Sequence, residues 1–76
     1  MPDCVWIVYD CSHGENVCAT LSRDKALEIA IECIAEWYCS EDARQFIEEI
    51  TYDYNQTSDG SFCADDVIHV QKLELE

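Results

Sequence analysis

The sequence predicts a compact single-domain α+β protein in which a small antiparallel sheet packs with two helices, in the order ββααβ. Three observations predict this class. The chain has 76 residues, enough for one domain with a modest core. Its N-terminal segment is rich in β-branched and aromatic residues, whereas its middle has apolar residues at helical spacing. Its apolar content of 49% excludes a disordered chain.

The N-terminal segment predicts a β-hairpin. Residues 4–11 (CVWIVYDC) and 17–21 (VCATL) have strand composition, and Gly14 between them suits a tight turn. Alternation along the first strand gives two apolar faces, one of Val5, Ile7 and Tyr9 and the other of Trp6 and Val8. We therefore expect this strand to be central in its sheet or covered on both sides.

Two helices are predicted next. Ser22 is a good N-cap, and the apolar residues after it predict a first helix over about residues 23–38. Ser40 is interpreted as the cap of a second helix that runs to about residue 55. Glu41 and Asp42 lie in its first turn, where the helix dipole favours anions.

The C-terminal part predicts a loop and one more strand. Residues 55–66 (NQTSDGSFCADD) are polar and contain Gly60 as a turn residue. Residues 67–75 (VIHVQKLEL) have strand composition. The apolar alternation changes step after Val70, which predicts either a bulge near Gln71 and Lys72 or a fraying end of the strand.

The charge balance limits the partners. Seventeen Asp and Glu stand against four Lys and Arg, which gives a formal net charge of −13. Bare nucleic acid and anionic membranes would repel such a chain, so we expect neither as a direct partner. A basic protein surface, such as the groove of a nucleic-acid-binding protein or a nuclease effector complex, would attract it and speed the encounter. The oligomeric state is left open.

The N-terminus has no positively charged segment followed by an apolar stretch, and no stretch reaches the length of a membrane span. We therefore expect a cytoplasmic protein. In that compartment the cysteines are expected to be reduced thiols rather than disulfides. The six are Cys4, Cys11, Cys18, Cys33, Cys39 and Cys63.

The most distinctive pattern is a row of four carboxylates at i+4 spacing in the first predicted helix, here called the acidic row: Asp24, Glu28, Glu32 and Glu36. Like charges at this spacing cost roughly 0.2–0.5 kcal/mol per pair. Successive carboxylates of the acidic row are about 6 Å apart along the helix axis, whereas one DNA strand carries a phosphate about every 3.4 Å. The alternative is that the row is only a solvent-exposed, Glu-rich helix face. Solubility alone, however, does not require that a chain with seventeen Asp and Glu have only four Lys and Arg.

Further acids on the second helix and the following loop could complete a phosphate-mimicking surface. The predicted partner-binding residues are the acidic row together with Glu48, Glu49, Asp53, Asp59, Asp65 and Asp66. Several elements must converge for this to work, because one helix alone is sparser in charge than DNA.

The sequence gives less support for a Ca²⁺-binding loop. Asn55, Thr57, Asp59, Gly60 and, at the twelfth position, Asp66 have the cadence of an EF-hand loop, but the first and last positions depart from the motif. An ordinary polar turn is favoured over a Ca²⁺ site.

Cysteine and histidine patterns do not favour zinc or catalysis either. Cys4, Cys11, His13 and Cys18 lack the paired spacing of zinc ligands. A nucleophilic thiolate beside His13 or His69 would need an electropositive setting. We expect no metal, no cofactor and no enzyme activity.

In size, acidity and α+β organisation, and in the acids named above, the chain resembles small phage-encoded anti-defence proteins, notably anti-CRISPR proteins. The resemblance rests on these properties and not on a shared motif. It implies an inhibitor that occludes a basic nucleic-acid-binding groove by DNA mimicry, in the host cytoplasm. The alternatives are a small regulatory or structural interaction module that uses the exposed sheet or Trp37 and Tyr38 as an anchor, or a Ca²⁺-binding loop protein.

Overall fold

A computed structural model of the chain describes residues 4–12, 14–57, 60–65 and 67–74. Its elements are β1 (Cys4–Asp10), β2 (Glu15–Thr20), α1 (Arg23–Trp37), α2 (Ser40–Gln56), β3 (Phe62–Ala64) and β4 (Ile68–Glu74). The four strands form one antiparallel sheet in the order β2-β1-β4-β3. The predicted α+β class, with a small antiparallel sheet and two helices, is confirmed.

The element order is ββααββ, one strand more than the ββααβ that the sequence predicts. The additional strand β3 lies within the segment predicted as a polar loop. Phe62 is 2% exposed, and it pairs with Val70 of β4. A strand of three residues is too short to show alternation in the sequence, because its formation depends on pairing with β4 rather than on its own composition.

The predicted bulge near Gln71 and Lys72 is wrong. β4 pairs with β1 in an unbroken register, and the irregularity lies instead in the β1–β2 pair, between Val8 and Tyr9. Lys72 explains the error, because it continues the inward-facing positions of β4 with its ammonium 5.8 Å from the centre of the Trp6 ring. Because Lys72 is a polar residue at an inward-facing position, the alternation of apolar and polar residues along the strand was interpreted as shifted by one position.

The helices have the predicted extents to within one residue. Ser22 caps α1, its hydroxyl accepting from the Lys25 backbone N–H at 3.2 Å, as predicted. Ser40 is the first residue of α2 rather than its cap, which is Cys39. A cysteine side chain is a poor cap, and no side-chain hydrogen bond closes this end. No helix of the described part of the chain is long and apolar enough to cross a membrane.

Both helices lie on one side of the sheet. α1 contacts β1, β2 and β4, whereas α2 contacts α1 and β3. The two helices run antiparallel, since the start of α1 and the end of α2 meet where the Tyr54 hydroxyl donates to Asp24. At the opposite end of the helix pair, the Tyr38 ring packs edge-on against Phe46, with ring centres 5.1 Å apart. This arrangement makes one layer of helices over one face of the sheet.

The core lies between that layer and the inner face of the sheet. Buried side chains from the strands meet buried side chains from the helices: Trp6, Val8, Phe62, Ala64, Ile68, Val70, Ala26, Ala30, Ile34, Ala43 and Ile50. β1 is central in the sheet, as predicted, and its Trp6 and Val8 point into the core. The other face of β1 is half-buried or exposed, with Tyr9 37% exposed. The sheet therefore has one covered face and one open face.

Candidate functional site

The acidic row points directly away from the sheet. All four of its side chains are exposed. The buried residues of α1 are Ala26, Ala30 and Ile34, which follow the same i+4 spacing two positions later. Two residues along an α-helix correspond to a rotation of about 200°. The row and the buried positions are therefore on opposite sides of α1, and the row is presented to solvent along the whole helix.

Neighbouring cations neutralise the row only weakly. Lys25 Nζ lies 3.9 Å from Glu28 Oε1, and both side chains are more than half exposed. An exposed pair of this kind contributes little binding energy and is screened by salt. Arg23 and Lys72 are directed inward, over the rings of Tyr54 and Trp6 respectively. Most of the negative charge on α1 thus remains available to an external partner.

Arg23 joins three segments of the fold. Its guanidinium donates to the Tyr54 carbonyl at 2.8 Å, to the Thr57 hydroxyl at 2.6 Å and to the Gly60 carbonyl at 3.2 Å. The guanidinium carbon also lies 4.1 Å from the centre of the Tyr54 ring and 5.0 Å from that of Phe62. A planar cation with several fixed donors suits this combination of carbonyls and ring faces. Arg23 therefore fastens the start of α1 to the end of α2 and to the turn before β3.

The same contacts bear on the EF-hand cadence of residues 55–66. Thr57 and Gly60 direct their oxygens at Arg23. Asp59 and Asp66 lie outside the described residues, and Asn55 is part of α2. The Arg23 guanidinium engages these two oxygens and repels a second cation, so the contacts favour a structural role for them over Ca²⁺ binding. Within the described ranges, no group of three His, Cys, Asp or Glu could hold a metal ion.

Four of the predicted partner-binding residues come together in a groove between α2 and β3. This groove has a volume of about 510 Å³ and includes Glu48, Glu49, Asp53 and Asp65 in its lining. Glu48 also lines the seam between α2 and α1. Glu48 therefore lies at the border of both the groove and this seam. Asp59 and Asp66, the remaining predicted acids, lie outside the described residues.

Two of the predicted acids are also used inside the protein. Asp53 is half-buried, and its Oδ2 accepts from the backbone N–H of Cys63 at 3.0 Å, which ties α2 to β3. Asp24 accepts from the Tyr54 hydroxyl. The carboxylates of Glu28, Glu32, Glu36 and Glu48 are exposed and are the best placed to meet a partner. We call the acidic row together with the acids of this groove the acidic helical surface.

The Cys33 thiol does not show the features of a catalytic nucleophile. No disulfide joins the six cysteines, all of which are among the described residues. Burial raises the pKa of the Cys33 thiol above its usual value, and the negative charge of Glu36, followed by that of Asp10, raises this pKa further. A raised pKa keeps the thiol protonated at neutral pH, which is the unreactive form.

One pair of residues that could not be connected from the sequence is Cys63 and His69, which are cross-strand partners on β3 and β4. Tyr9 pairs with His69 on its other side, and the three lie along a shallow cavity of about 260 Å³. His69 Nε2 lies 3.1 Å from the Asp65 carbonyl, which can only accept, so Nε2 carries the proton in this contact. The pairing was hidden because β3 was predicted as loop.

The open side of the sheet was expected only as an alternative anchor. By register it consists of Val5, Ile7, Tyr9, Asn16, Ala19, Cys63, His69, Gln71 and Leu73, which we call the outer sheet face. Trp37 and Tyr38, the other alternative anchor, do not form one exposed surface. Tyr38 packs on Phe46, and its hydroxyl lies 2.6 Å from the Ser12 hydroxyl, whereas Trp37 is 38% exposed.

Comparison of the chain with known protein families, with curated proteins and with solved structures finds no match.

Proposed function

We propose that the protein is a non-enzymatic inhibitor that binds a basic nucleic-acid-binding surface of another protein, in the manner of small phage anti-defence (anti-CRISPR) proteins. The observation that carries this proposal is the position of the acidic row. Four carboxylates stand exposed on the side of α1 opposite its buried residues, so α1 presents them without any role in its packing on the sheet. The site of action is the cytoplasm, where such grooves are found.

The arrangement of charge supports phosphate mimicry by several elements together. The steps of the acidic row are about 6 Å along the helix axis, so the row alone has about half the charge density of a DNA strand. The groove between α2 and β3 adds Glu48, Glu49 and Asp65 on a neighbouring element. A Lys- and Arg-rich groove that normally holds phosphates could therefore contact acids from two directions.

The energetic logic also favours a binding role. Like charges at i+4 oppose helix formation by roughly 0.2–0.5 kcal/mol per pair, and of the row only Asp24 makes a contact within the fold, with the Tyr54 hydroxyl. Exposed acids attract a basic partner over a distance and accelerate encounter at low salt. The same charges contribute less as salt screens them, and this gives the proposal a measurable signature.

The experiment uses the protein as bait for a host lysate at low salt, followed by affinity measurements on the captured protein. Glu28, Glu32 and Glu36 are replaced together by Gln. We expect binding at least about tenfold weaker for this variant, and a similar loss on raising salt from about 50 to about 500 mM. The captured protein should also lose its nucleic acid to the wild-type chain in a competition assay.

A matched pair of single variants provides the control. Glu32→Gln and Glu74→Gln each remove one exposed carboxylate, but Glu74 is at the end of β4 and not on the helices. Only Glu32→Gln should weaken binding appreciably, because contact and not total charge is responsible. An affinity indifferent to salt, or equal losses from both variants, would rule out recognition by the acidic row. All variants are expected to keep the wild-type circular dichroism spectrum.

A further inference from the structure

Two cysteines that are distant in the sequence, Cys18 and Cys33, lie on facing surfaces of the fold. Cys18 of β2 pairs with Val8 of β1, whose side chain is fully buried on the inner side of the sheet. Directly paired residues project to the same side of a sheet. Cys18 therefore also projects inward, toward the helices. Both cysteines are half-buried, so a small reagent can reach them.

Cys33 lies on the flank of α1 that is turned toward β2. At about 100° per residue, Cys33 is about 60° to one side of the buried Ala30, and Ala35 is about 140° to the other side. Ala35 lines the seam between α1 and α2, so Cys33 is on the flank away from α2. Because α2 contacts β3, at the sheet edge opposite β2, this flank of α1 is the one on the β2 side.

The two thiols also lie near the same end of the molecule. The Tyr38 hydroxyl is 2.6 Å from the Ser12 hydroxyl, so the C-terminal end of α1 is next to the turn between β1 and β2. Cys33 precedes Tyr38 by about 7–8 Å along the helix axis. Cys18 follows the start of β2 at Glu15 by about 10 Å along the strand. The two cysteines are thus at similar heights on elements that pack together.

The electrostatics of Cys33 agree with this placement. Burial is the main cause of the raised pKa of Cys33, and the negative charges that raise this pKa further are, in descending order, those of Glu36, Asp10, Cys18 and Glu32. Interactions between charges weaken with distance. The contribution of Cys18, which is on another element, therefore indicates that the two thiols are neighbours in space.

We propose that Cys18 and Cys33 form a reversible disulfide when the protein meets a peroxide. Hydrogen peroxide oxidises the Cys18 thiol to a sulfenic acid, with release of one water. The Cys33 sulfur then attacks the Cys18 sulfur. The S–S bond forms, the S–O bond breaks, and the hydroxide leaves with the Cys33 proton as a second water. Two molecules of a thiol such as glutathione return the two electrons and restore both cysteines.

The fold can accommodate this bond with a small movement. A disulfide joins Cα atoms about 4.4–6.8 Å apart, and Cα atoms of α1 and β2 come within 8 Å of each other where the two elements are closest. As an edge strand, β2 has only β1 as a neighbour in the sheet and can shift toward α1. The bond would fasten the helix that carries the acidic row to this edge strand.

The bond should also stabilise the folded chain. The two cysteines are 15 positions apart in the sequence, and a link across such a loop reduces the conformational entropy of the unfolded chain. We expect the melting temperature of the oxidised protein to exceed that of the reduced protein by on the order of 10 °C. This expectation concerns the isolated chain and does not depend on the proposed function.

The test is brief treatment of the reduced wild-type chain with a small excess of hydrogen peroxide, followed by blocking of the remaining thiols and peptide mass spectrometry without reduction. We expect a monomer lighter by two hydrogen atoms, with one linked pair of peptides that contain Cys18 and Cys33. Glutathione should reverse the link. The same treatment in urea should give a mixture of pairs, because the fold selects the partner.

Variants test whether this pair is responsible for the stabilisation. Cys18→Ala and Cys33→Ala should each abolish the linked monomer and the rise in melting temperature. Cys63→Ala, which removes a half-buried cysteine of β3, is the control and should retain both.

Three results would overturn the proposal, and the first two need only the wild-type chain. One is a folded chain in which peroxide leaves Cys18 and Cys33 unlinked, or links either of them to another cysteine or to a second chain. Another is an oxidised protein that melts no higher than the reduced protein. The third is a Cys63→Ala variant that loses the linked monomer as fully as Cys18→Ala does.

Discussion

The acidic helical surface and the outer sheet face are the two sides of one thin molecule, and they differ most in charge. The helices present the acidic row and the acids of the groove beside β3. The outer sheet face has no carboxylate at any described position. Acids are therefore absent from the paired positions of the outer sheet face but reach its border, where Asp53 lines a cavity together with Cys63 and His69.

The difference teaches that the two faces suit contacts governed by different forces. Charge acts over a distance of about a Debye length and is weakened by salt, so the helices suit recognition of a basic partner. Apolar contact acts at short range and is insensitive to salt or strengthened by it, so the sheet suits packing on another neutral surface. Salt dependence thus reports which face a given complex uses.

The largest effect is expected from removing Arg23, whose contacts join α1, α2 and the turn before β3. Arg23→Ala leaves the Tyr54 and Gly60 carbonyls and the Thr57 hydroxyl without their donor. We expect a loss of about 3 kcal/mol in the free energy of unfolding, measured by urea unfolding with tryptophan fluorescence. Arg23→Lys should recover only part of the lost stability, because an ammonium cannot reach all three acceptors in their fixed directions.

Arg44→Ala is the control for this prediction. Arg44 is the exposed arginine of α2, and its removal should change stability by less than about 0.5 kcal/mol. Equal losses from both arginine variants would show that Arg23 acts only through the charge it adds to an acidic protein.

An intermediate effect is expected from Asp53, and it sharpens which acids belong to the external surface. Asp53→Ala removes the acceptor of the Cys63 backbone N–H and should cost about 1–2 kcal/mol. Asp53→Asn keeps an acceptor oxygen and should cost less. Glu48→Ala, on the same helix but exposed, should change stability by less than about 0.5 kcal/mol. If urea unfolding finds Asp53→Ala as mild as Glu48→Ala, Asp53 belongs with the external acids after all.

The smallest effect measures the electrostatic field of the acidic row from within the protein. Burial and then Glu36 raise the pKa of Cys33, so alkylation of this thiol should be slow at neutral pH and accelerate in urea. Glu36→Gln should lower this pKa and speed alkylation at a fixed pH, as followed by peptide mass spectrometry. Glu41→Gln, at the start of α2, is the control. An unchanged rate in Glu36→Gln would mean that burial alone holds the thiol protonated.

The sign of the accompanying pH dependence follows from the same shift. Because the folded state holds the Cys33 proton more tightly than the unfolded chain does, stability linked to this thiol is fully present below the ordinary thiol pKa. It is lost as the pH rises through the raised value. Urea unfolding of the wild type and Cys33→Ala across this alkaline range should therefore converge as the pH increases.

Local patterns were sufficient for much of the fold. Helical spacing predicted α1 and α2 to within one residue, and Ser22 was recognised as a cap because capping depends on residues close in sequence. The acidic row was predicted as one exposed stripe because i+4 positions align on any α-helix. Its position opposite the core follows from the helix period once the apolar side is known.

Contacts between distant segments decided the rest. β3 exists because Phe62 and Ala64 pair with β4 and enter the core, and three residues carry no such signal by themselves. Lys72 occupies an inward-facing position because the Trp6 ring lies beneath its ammonium, and a polar residue there misled the prediction of a bulge. Asp53 was grouped with the external acids because its contact with Cys63 joins residues on separate elements.

The sequence by itself determined that this protein is acidic, α+β and marked by a row of carboxylates on one helix, because composition and helical period act locally along the chain. Only the tertiary structure decided that the helices cover one face of the sheet and leave the other open and free of acids at its described positions. Sheet register and layer packing bring together residues from opposite ends of the chain, and no local pattern specifies which face they will share.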